Sequence, residues 1–408
     1  MSLLACGGAP KPASSTTPTA GGATPAAQGA APAGFNLEAA VAREAKALTE
    51  QAAEGPGHAW SAKIPAVGAP QISVVDDVHV VEIPIGSDAA VRCQVHPEPV
   101  DPAGTLYGVL KESAARVEYR EVKPAGVKLV GGWPAAYLDA LYVTDAPGGK
   151  AAGGLKLAIH TSGGRSLFCL HDELGYRDTF QRVSTTFFET FREPVKTEQK
   201  ATYTEISIVK LDDAVVGYNV TMLLPGAKPG ERERRDSSSS FLPTSPKDVV
   251  FEDSFNVTHY NAKGQIADDT FIEASQGELS MQLKLTRGED GKYSYDGKIS
   301  GKTVQGNLAT PHGLTTSFQT AATLRKKLKA GGAFSDTVDE YHPSIDPTAV
   351  VAVTYAHAKD APARQVTMKL GERLVTGEVD DDGILKNGWF GLGKRKITIE
   401  RARVDGHP

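Results

Sequence analysis

The stretch from His160 to Asp172 gathers the residue types of a hydrolase. His160 and His171 are candidate bases, Ser162 and Ser166 candidate nucleophiles, and Asp172 a candidate orienting acid. Nucleophilic catalysis needs a serine hydroxyl in reach of a histidine whose tautomer a carboxylate fixes. In this stretch His171, with Asp172 beside it, would be the base. A serine hydrolase also needs a strained Gly-x-Ser-x-Gly elbow and an oxyanion hole, and neither is written here. Serines and histidines beside Gly163-Gly164 read as turn chemistry, so hydrolysis stands as the alternative reading.

Three other motifs invite chemistry and fail on spacing. Gly297-Lys298-Ile299-Ser300-Gly301-Lys302-Thr303 ends like a phosphate loop. Only three residues separate its glycines where four are required, and Val304–Leu308 reads as a strand where a helix N-terminus must follow. Asp380-Asp381-Asp382-Gly383 suggests calcium, yet the twelfth position holds Gly391 in place of a bidentate Glu. The ten histidines are scattered, without an HExxH run or a CxxC pair, so no zinc site is legible. Tyr341-His342-Pro343 with Ile345-Asp346-Pro347 is a turn stiffened by two X-Pro bonds. No catalytic, cofactor-binding or metal residue is assigned, and no cofactor is expected.

A chain of 408 residues exceeds one typical core, and 40% hydrophobic with 23% charged residues is an ordinary globular composition. The formal charge of −5 carries no nucleic-acid footprint. The basic clusters Arg325-Lys326-Lys327, Lys394-Arg395-Lys396 and the mixed Glu231–Arg235 run are short and read as solvated surface. No apolar run reaches the length of a spanning helix.

The chain opens Met1-Ser2-Leu3-Leu4-Ala5-Cys6-Gly7-Gly8. Leu3, Ala5 and Cys6 resemble the lipobox of bacterial lipoproteins, although the basic and long apolar parts of a complete signal peptide are missing. The resemblance implies lipidation of Cys6, an exported chain, and a membrane anchor in the cell envelope, facing the outer membrane or periplasm. From Gly7 to Gly34 the sequence is almost only Gly, Ala, Pro, Ser, Thr and Gln, with one charge at Lys11. Such a segment buries no apolar area to offset ordering entropy, and is expected to be a disordered stalk. If Cys6 is acylated, Cys93 and Cys169 remain, either as a disulfide or as two buried thiols.

From 35 to 193 the pattern predicts an α+β domain. Asn36 caps a helix through Leu37, Ala40, Val41, Ala45 and Leu48. Strands are expected at Gln71–Val75, Val78–Ile85, Ala89–Val95, Gly126–Val130, Ala136–Thr144, Gly154–Thr161 and Arg165–His171, with a second helix over Leu106–Glu118. Phe180, Val183, Phe187 and Phe191 share one face of a closing helix that Pro194 ends. This order, with Leu167–Phe191 as its most specific part, resembles the PsbP-like α/β/α sandwich. That family comprises mostly non-catalytic assembly factors of exported compartments.

From 200 to 404 a series of hairpin-linked strands is expected. It is interrupted by a polar loop at Pro225–Asp248 and one helix at Thr320–Ala330. So many strands demand a curled sheet or incomplete barrel, because an open sheet leaves long edges. The outline resembles the curved β-sheets of lipoprotein carriers, whose concavity holds acyl chains. The reading is a non-enzymatic envelope lipoprotein that binds an apolar ligand or a protein partner. Beside the hydrolase alternative stands a purely structural assembly factor.

Overall fold

The computed structural model describes residues 36–146, 149–162, 164–194, 201–244, 249–310 and 313–408. Four α-helices are found among them: α1 (Leu37–Val41), α2 (Pro102–Ser113), α3 (Arg177–Thr190) and α4 (Ser317–Ala330). The strands fall into three antiparallel sheets. A hairpin joins β1 (Thr49–Glu54) and β2 (Ser61–Ala66). A seven-stranded sheet holds β3 (Gln71–Val75), β4 (Val78–Pro84), β5 (Ala90–His96), β6 (Glu118–Val130), β7 (Trp133–Ala146), β8 (Gly149–Ser162) and β9 (Arg165–His171), in the order β3-β4-β5-β9-β8-β7-β6.

The third sheet has fourteen strands. Its first half comprises β10 (Tyr203–Leu211), β11 (Ala214–Pro225), β12 (Arg232–Pro243), β13 (Val249–Tyr260), β14 (Ile266–Ser275), β15 (Glu278–Arg287), β16 (Tyr293–Ile299) and β17 (Lys302–Leu308). Its second half comprises β18 (Phe334–Glu340), β19 (Val351–His357), β20 (Gln365–Leu370), β21 (Arg373–Val379), β22 (Leu385–Leu392) and β23 (Arg395–Gly406). Each half is a meander, and the last strand, β23, pairs with the first, β10, to join them.

The expected α+β class is wrong. Among the described residues the protein is mostly β, with 57% in strands and 14% in helices. Three stretches account for the difference. The first helix ends at Val41, and Thr49–Glu54 pairs with Ser61–Ala66 as strand. The second helix starts earlier, where Asp101 caps it and Pro102 opens it, and it stops at Ser113 so that Glu118 can begin β6. Half of the polar stretch expected as a loop is β12, paired with β11 over Arg232–Ser240 and with β13 along its whole length. A strand flanked on both sides gains its backbone ladder whatever its side chains, and the polarity of Arg232–Ser240 concealed it. Strand β18 was not expected at all.

Alternation along the seven-stranded sheet sends side chains to two cores. Cys93, Ala158, Leu167 and Cys169 lie in one buried cluster with Trp60 and the α3 residues Phe180, Val183, Phe187 and Phe188. Leu157 and Ile159 point the other way, into a cluster with Ala103 and Leu106 of α2. That second core also contains Tyr218, Phe241 and Phe251 from the large sheet. Helix α2 is therefore a shared wedge between the two sheets. A second contact joins them where the Arg403 guanidinium lies 5.0 Å over the Trp133 ring.

The large sheet curls around α4. At one side of the helix, Phe318 meets Tyr260 of β13 at 5.4 Å. Farther along, Leu324 packs with Val353, Tyr355, Val366 and Val379 of β19–β21. These strands are far apart in the sheet order, so only a curved sheet brings both to one helix. Thr316 and Gln319 form a reciprocal capping box at the start of α4, and Gly331 ends it.

Candidate functional site

Register decides which side chains share the inner face under α4. Arg234, Thr258 and Asp269 are successive partners across β12, β13 and β14, and Tyr203 and Leu223 continue the row across β10 and β11. The next row runs Glu205, Thr221, Asp236, Asn256 and Phe271. A third runs Ser207, Asn219, Ser238, Ser254 and Glu273. The opposite face of the same strands carries Tyr218, Phe241 and Phe251, which are buried against α2. Across β10–β14 the usual arrangement is thus modified: the outer face holds the apolar core, and the enclosed face is largely polar.

Ion pairs organise that inner face. Arg234 donates to Asp236 (Nη2–Oδ1 2.9 Å), and Thr221 donates to the same carboxylate at 2.5 Å. Arg234 also bonds the Ser317 hydroxyl at the start of α4, which ties the helix to the sheet. Farther round, Arg401 on β23 donates to Asp380 at 2.6 Å and to the Leu385 carbonyl at 3.0 Å. Its Nε lies 3.2 Å from Glu205 without hydrogen-bond alignment, so that contact is charge attraction alone. Tyr203 donates its hydroxyl to Glu205. The Arg401 side chain is only 8% exposed. Burial opposes the charge on Asp380, but the bond and charge of Arg401 outweigh it and hold the carboxyl below its usual range.

Two buried acids complete the lining. Asp269, 3% exposed, accepts from the Thr258 hydroxyl at 2.5 Å, and burial raises its carboxyl to about 6. Glu340 accepts from Thr320 of α4 at 2.7 Å, from the Tyr355 hydroxyl at 2.9 Å, and faces His342 Nε2 at 2.9 Å. Burial would raise Glu340, yet the bonds from His342, Thr320 and Tyr355 prevail and lower it. The half-buried third row (Asn219, Ser238, Ser254 and Glu273) lies beyond these networks, while Asn256 beside it donates to Thr258 at 3.4 Å. Hydroxyl, amide and carboxylate groups held on adjacent strands can hydrogen-bond a polar ligand. They offer little to an acyl chain.

The constellation at His160–Asp172 does not assemble. His160 and His171 face α3, whereas Ser166 faces the opposite way, its hydroxyl bonded to the Glu98 carbonyl at 2.8 Å and receiving the Val100 amide at 2.7 Å. His160 pairs with Leu167 and His171 with Lys156, four residues along the strand and so about 13 Å away. His160 is 2% exposed, spends Nδ1 on the Pro134 carbonyl and stacks on Phe188; burial lowers it to about 4. His171 Nδ1 is bound to the Ala90 carbonyl, and burial lowers it too. These are core histidines. The Ser162 side chain lies outside the described residues.

Cys93 and Cys169 are directly opposite on β5 and β9 and are joined by a disulfide, with Cα atoms 4.0 Å apart. Cys6 lies outside the described residues. Gly297–Thr303 is the β16–β17 hairpin, with left-handed Ser300 and Gly301 at its turn. The Asp380 turn is partly structural, since Asp380 also accepts the Asp382 and Ile384 amides at 2.9 and 3.0 Å. Tyr341 holds the Pro347 carbonyl at 3.2 Å, closing the proline-rich turn on itself. No group of three His, Cys, Asp or Glu side chains among the described residues is arranged to hold a metal ion.

Sequence reasoning missed Glu205, Arg234, Asp236, Asp269, Arg401 and Glu340 as a set. Each sits at an ordinary alternating position, and the partners are separated by up to 196 residues, so no local motif announces them. The one available signal was that both parities of β10–β14 would have to be buried if the sheet curled.

No family model matches the chain, and no curated protein matches it. Among solved structures it is similar to a β-barrel-like protein of the domain of unknown function DUF1849 from Brucella abortus. That likeness has 15% identity and a TM-score of 0.37, covering 52% of this chain and 99% of the other. A DUF1089 family protein from Pseudomonas aeruginosa aligns at 12% identity and a TM-score of 0.19, covering 48% and 94%. Both neighbours are distant and belong to domains of unknown function.

Proposed function

We propose that this chain is a non-enzymatic cell-envelope protein, tethered through a lipidated Cys6, that binds a polar ligand on the inner face of its curled sheet. The observation that carries the binding part is the half-buried polar row from Asn219 to Glu273, on a face partly enclosed by α4. Ordinary solvated strands have no helix across them, and a sheet built to pack apolar cores would not place Ser238, Ser254 and Asn256 on adjacent strands. The lipobox-like start, the low-complexity stalk and the Cys93–Cys169 disulfide support an exported, oxidising address. An apolar ligand is disfavoured by the same polar row. A serine hydrolase is disfavoured because Ser166 and the histidines occupy opposite faces of one sheet.

Two measurements test the parts separately. Expressed from its genomic locus, wild type is expected to gain a lipid-sized mass and to pellet with membranes, while Cys6→Ser stays unmodified and soluble. Equal behaviour of the two removes the tether. For the ligand, a thermal-shift panel of sugars, amino acids, polyamines and fatty acids is run on wild type and on Asn256→Leu/Ser254→Val. A polar compound that stabilises only wild type supports the reading. Stabilisation by fatty acids alone overturns it.

A further inference from the structure

The junction between the two sheets contains a half-buried pair of carboxylates, bridged by a buried serine, that the binding reading does not use. Asp101 caps α2, accepting the Gly104 amide at 2.5 Å, and it also accepts the Tyr218 hydroxyl from β11. Tyr218 in turn receives the Ala103 amide at 3.4 Å. Between Asp101 and Asp253 of β13 stands one hydroxyl, that of Ser239 on β12. Its Oγ is 3.3 Å from Asp101 Oδ1 and 3.0 Å from Asp253 Oδ1. Ser239 is 1% exposed and Tyr218 1%. A serine hydroxyl carries a single proton and can donate to only one of the two acids at a time.

The surroundings make this arrangement consequential. From α2, Asp101 and the amides of Ala103 and Gly104 face the pair, with the Tyr107 ring stacked on Phe251 beside it at 4.8 Å. Lys111, farther along α2, reaches away to the Gln276 carbonyl and Glu278. From the large sheet come Tyr218, Ser239 and Asp253 themselves, while Glu252 points to the opposite face and is exposed. The seven-stranded sheet contributes the apolar Val127, Ala136, Leu138 and Ile159. Among the described residues neither carboxylate has a cation partner. Two adjacent anions in such a place repel one another without compensation.

We propose that this junction is a proton-operated latch: Asp101 and Asp253 share one proton across Ser239, and its loss to water loosens the contact between α2 and the large sheet. Burial raises Asp101 against the bonds from Tyr218, Gly104 and Ser239 that lower it. Burial, and then the charge of Asp101, push Asp253 up to about 7. An acid raised in the folded state stabilises it fully below the unfolded value near 4, and that contribution is lost as pH rises through about 7. The junction is therefore tight in mildly acidic surroundings and weakened above neutrality.

Hydrogen exchange of the α2 amides, corrected for intrinsic rates, reads the latch in the full chain. Protection in wild type is expected to fall about tenfold or more between pH 5 and pH 8, one pKa unit being a factor of ten. Asp253→Asn, which keeps a polar group against Ser239 but cannot ionise, is expected to hold its protection across that range. If Asp253→Asn falls as steeply as wild type, the proposal is overturned. Carbon-13 titration of the aspartate carboxyls in the unsubstituted protein guards against a variant that fails to fold. Two aspartates titrating above pH 5.5 are expected, one of them removed by Asp269→Asn; if no second one titrates there, the latch does not exist.

Discussion

Arg401 is a cation placed in the middle of a sheet, with Asp380 and Glu205 on either side and a backbone carbonyl completing its bonds. Its net contribution is small while all partners are present, because desolvation offsets attraction; removing it strands two acids. Arg401→Met is expected to cost about 3–5 kcal/mol in urea unfolding, and Arg401→Met/Glu205→Gln/Asp380→Asn to recover most of that loss. Asp380, held below its ordinary range, stabilises the fold above pH about 4 and loses that contribution only on acidification. The acid limb should therefore be shallower in the triple variant. None of these partners was legible as a site. Asp380 stood out as part of an acidic turn, but its salt bridge to Arg401, 21 residues on, depends on strand register that composition does not encode. The histidines and Ser166 failed for the converse reason. They are close in sequence, and the two-residue period of a strand sent serine and histidine to opposite faces.

At the scale of elements, α4 is held by Arg234 on Ser317, by Phe318 on Tyr260, by Leu324 in the β19–β21 core, by Thr320 on Glu340 and by its docking against the Asp380 turn. Gly383 in that turn has φ +80°, and a Cβ there would fall 2.1 Å from the Ala321 carbonyl oxygen. Gly383→Ala is therefore expected to lift the turn off the helix and lower the melting temperature by several degrees, on the order of 1–3 kcal/mol. Thr316→Ala, which removes only the cap, should cost about 1 kcal/mol. Such elements were the readable part of the chain. The aromatic spacing of Phe180, Val183 and Phe187 marked α3, and the Gly and Asp turns marked most hairpins. What alternation could not mark was β12, whose Arg, Asp and Ser side chains are polar on both faces. Its strand character comes from β11 and β13.

For the molecule as a whole, one hydrophobic cluster contains residues from both large sheets, so their stabilities are coupled. Phe241, 1% exposed, joins that core from β12 and packs at a tilt against Phe251 with ring centres 5.2 Å apart. Phe241→Ala is expected to cost about 3–5 kcal/mol and to split a single calorimetric transition into two. A variant that still melts in one step would mean that α2 and the Trp133–Arg403 contact suffice to bind the sheets together. The sequence places a change of pattern near residues 194–200; the shared core was not legible there, since Ala103, Leu138 and Phe251 are distant in the chain and ordinary in type.

The joining of the two half-sheets by β10 and β23 also sets a timetable for synthesis. Strand β10 ends at Leu211, and the partner for its open side begins at Arg395. A ribosome adding about 5–20 residues per second needs roughly 10–40 s to cross that interval. During this time β10 carries an unsatisfied row of amides and carbonyls, open to pairing with a neighbouring nascent chain. A chain that stops short of Arg395 would never leave that condition, so loss of β23 should be felt as aggregation across the whole large sheet.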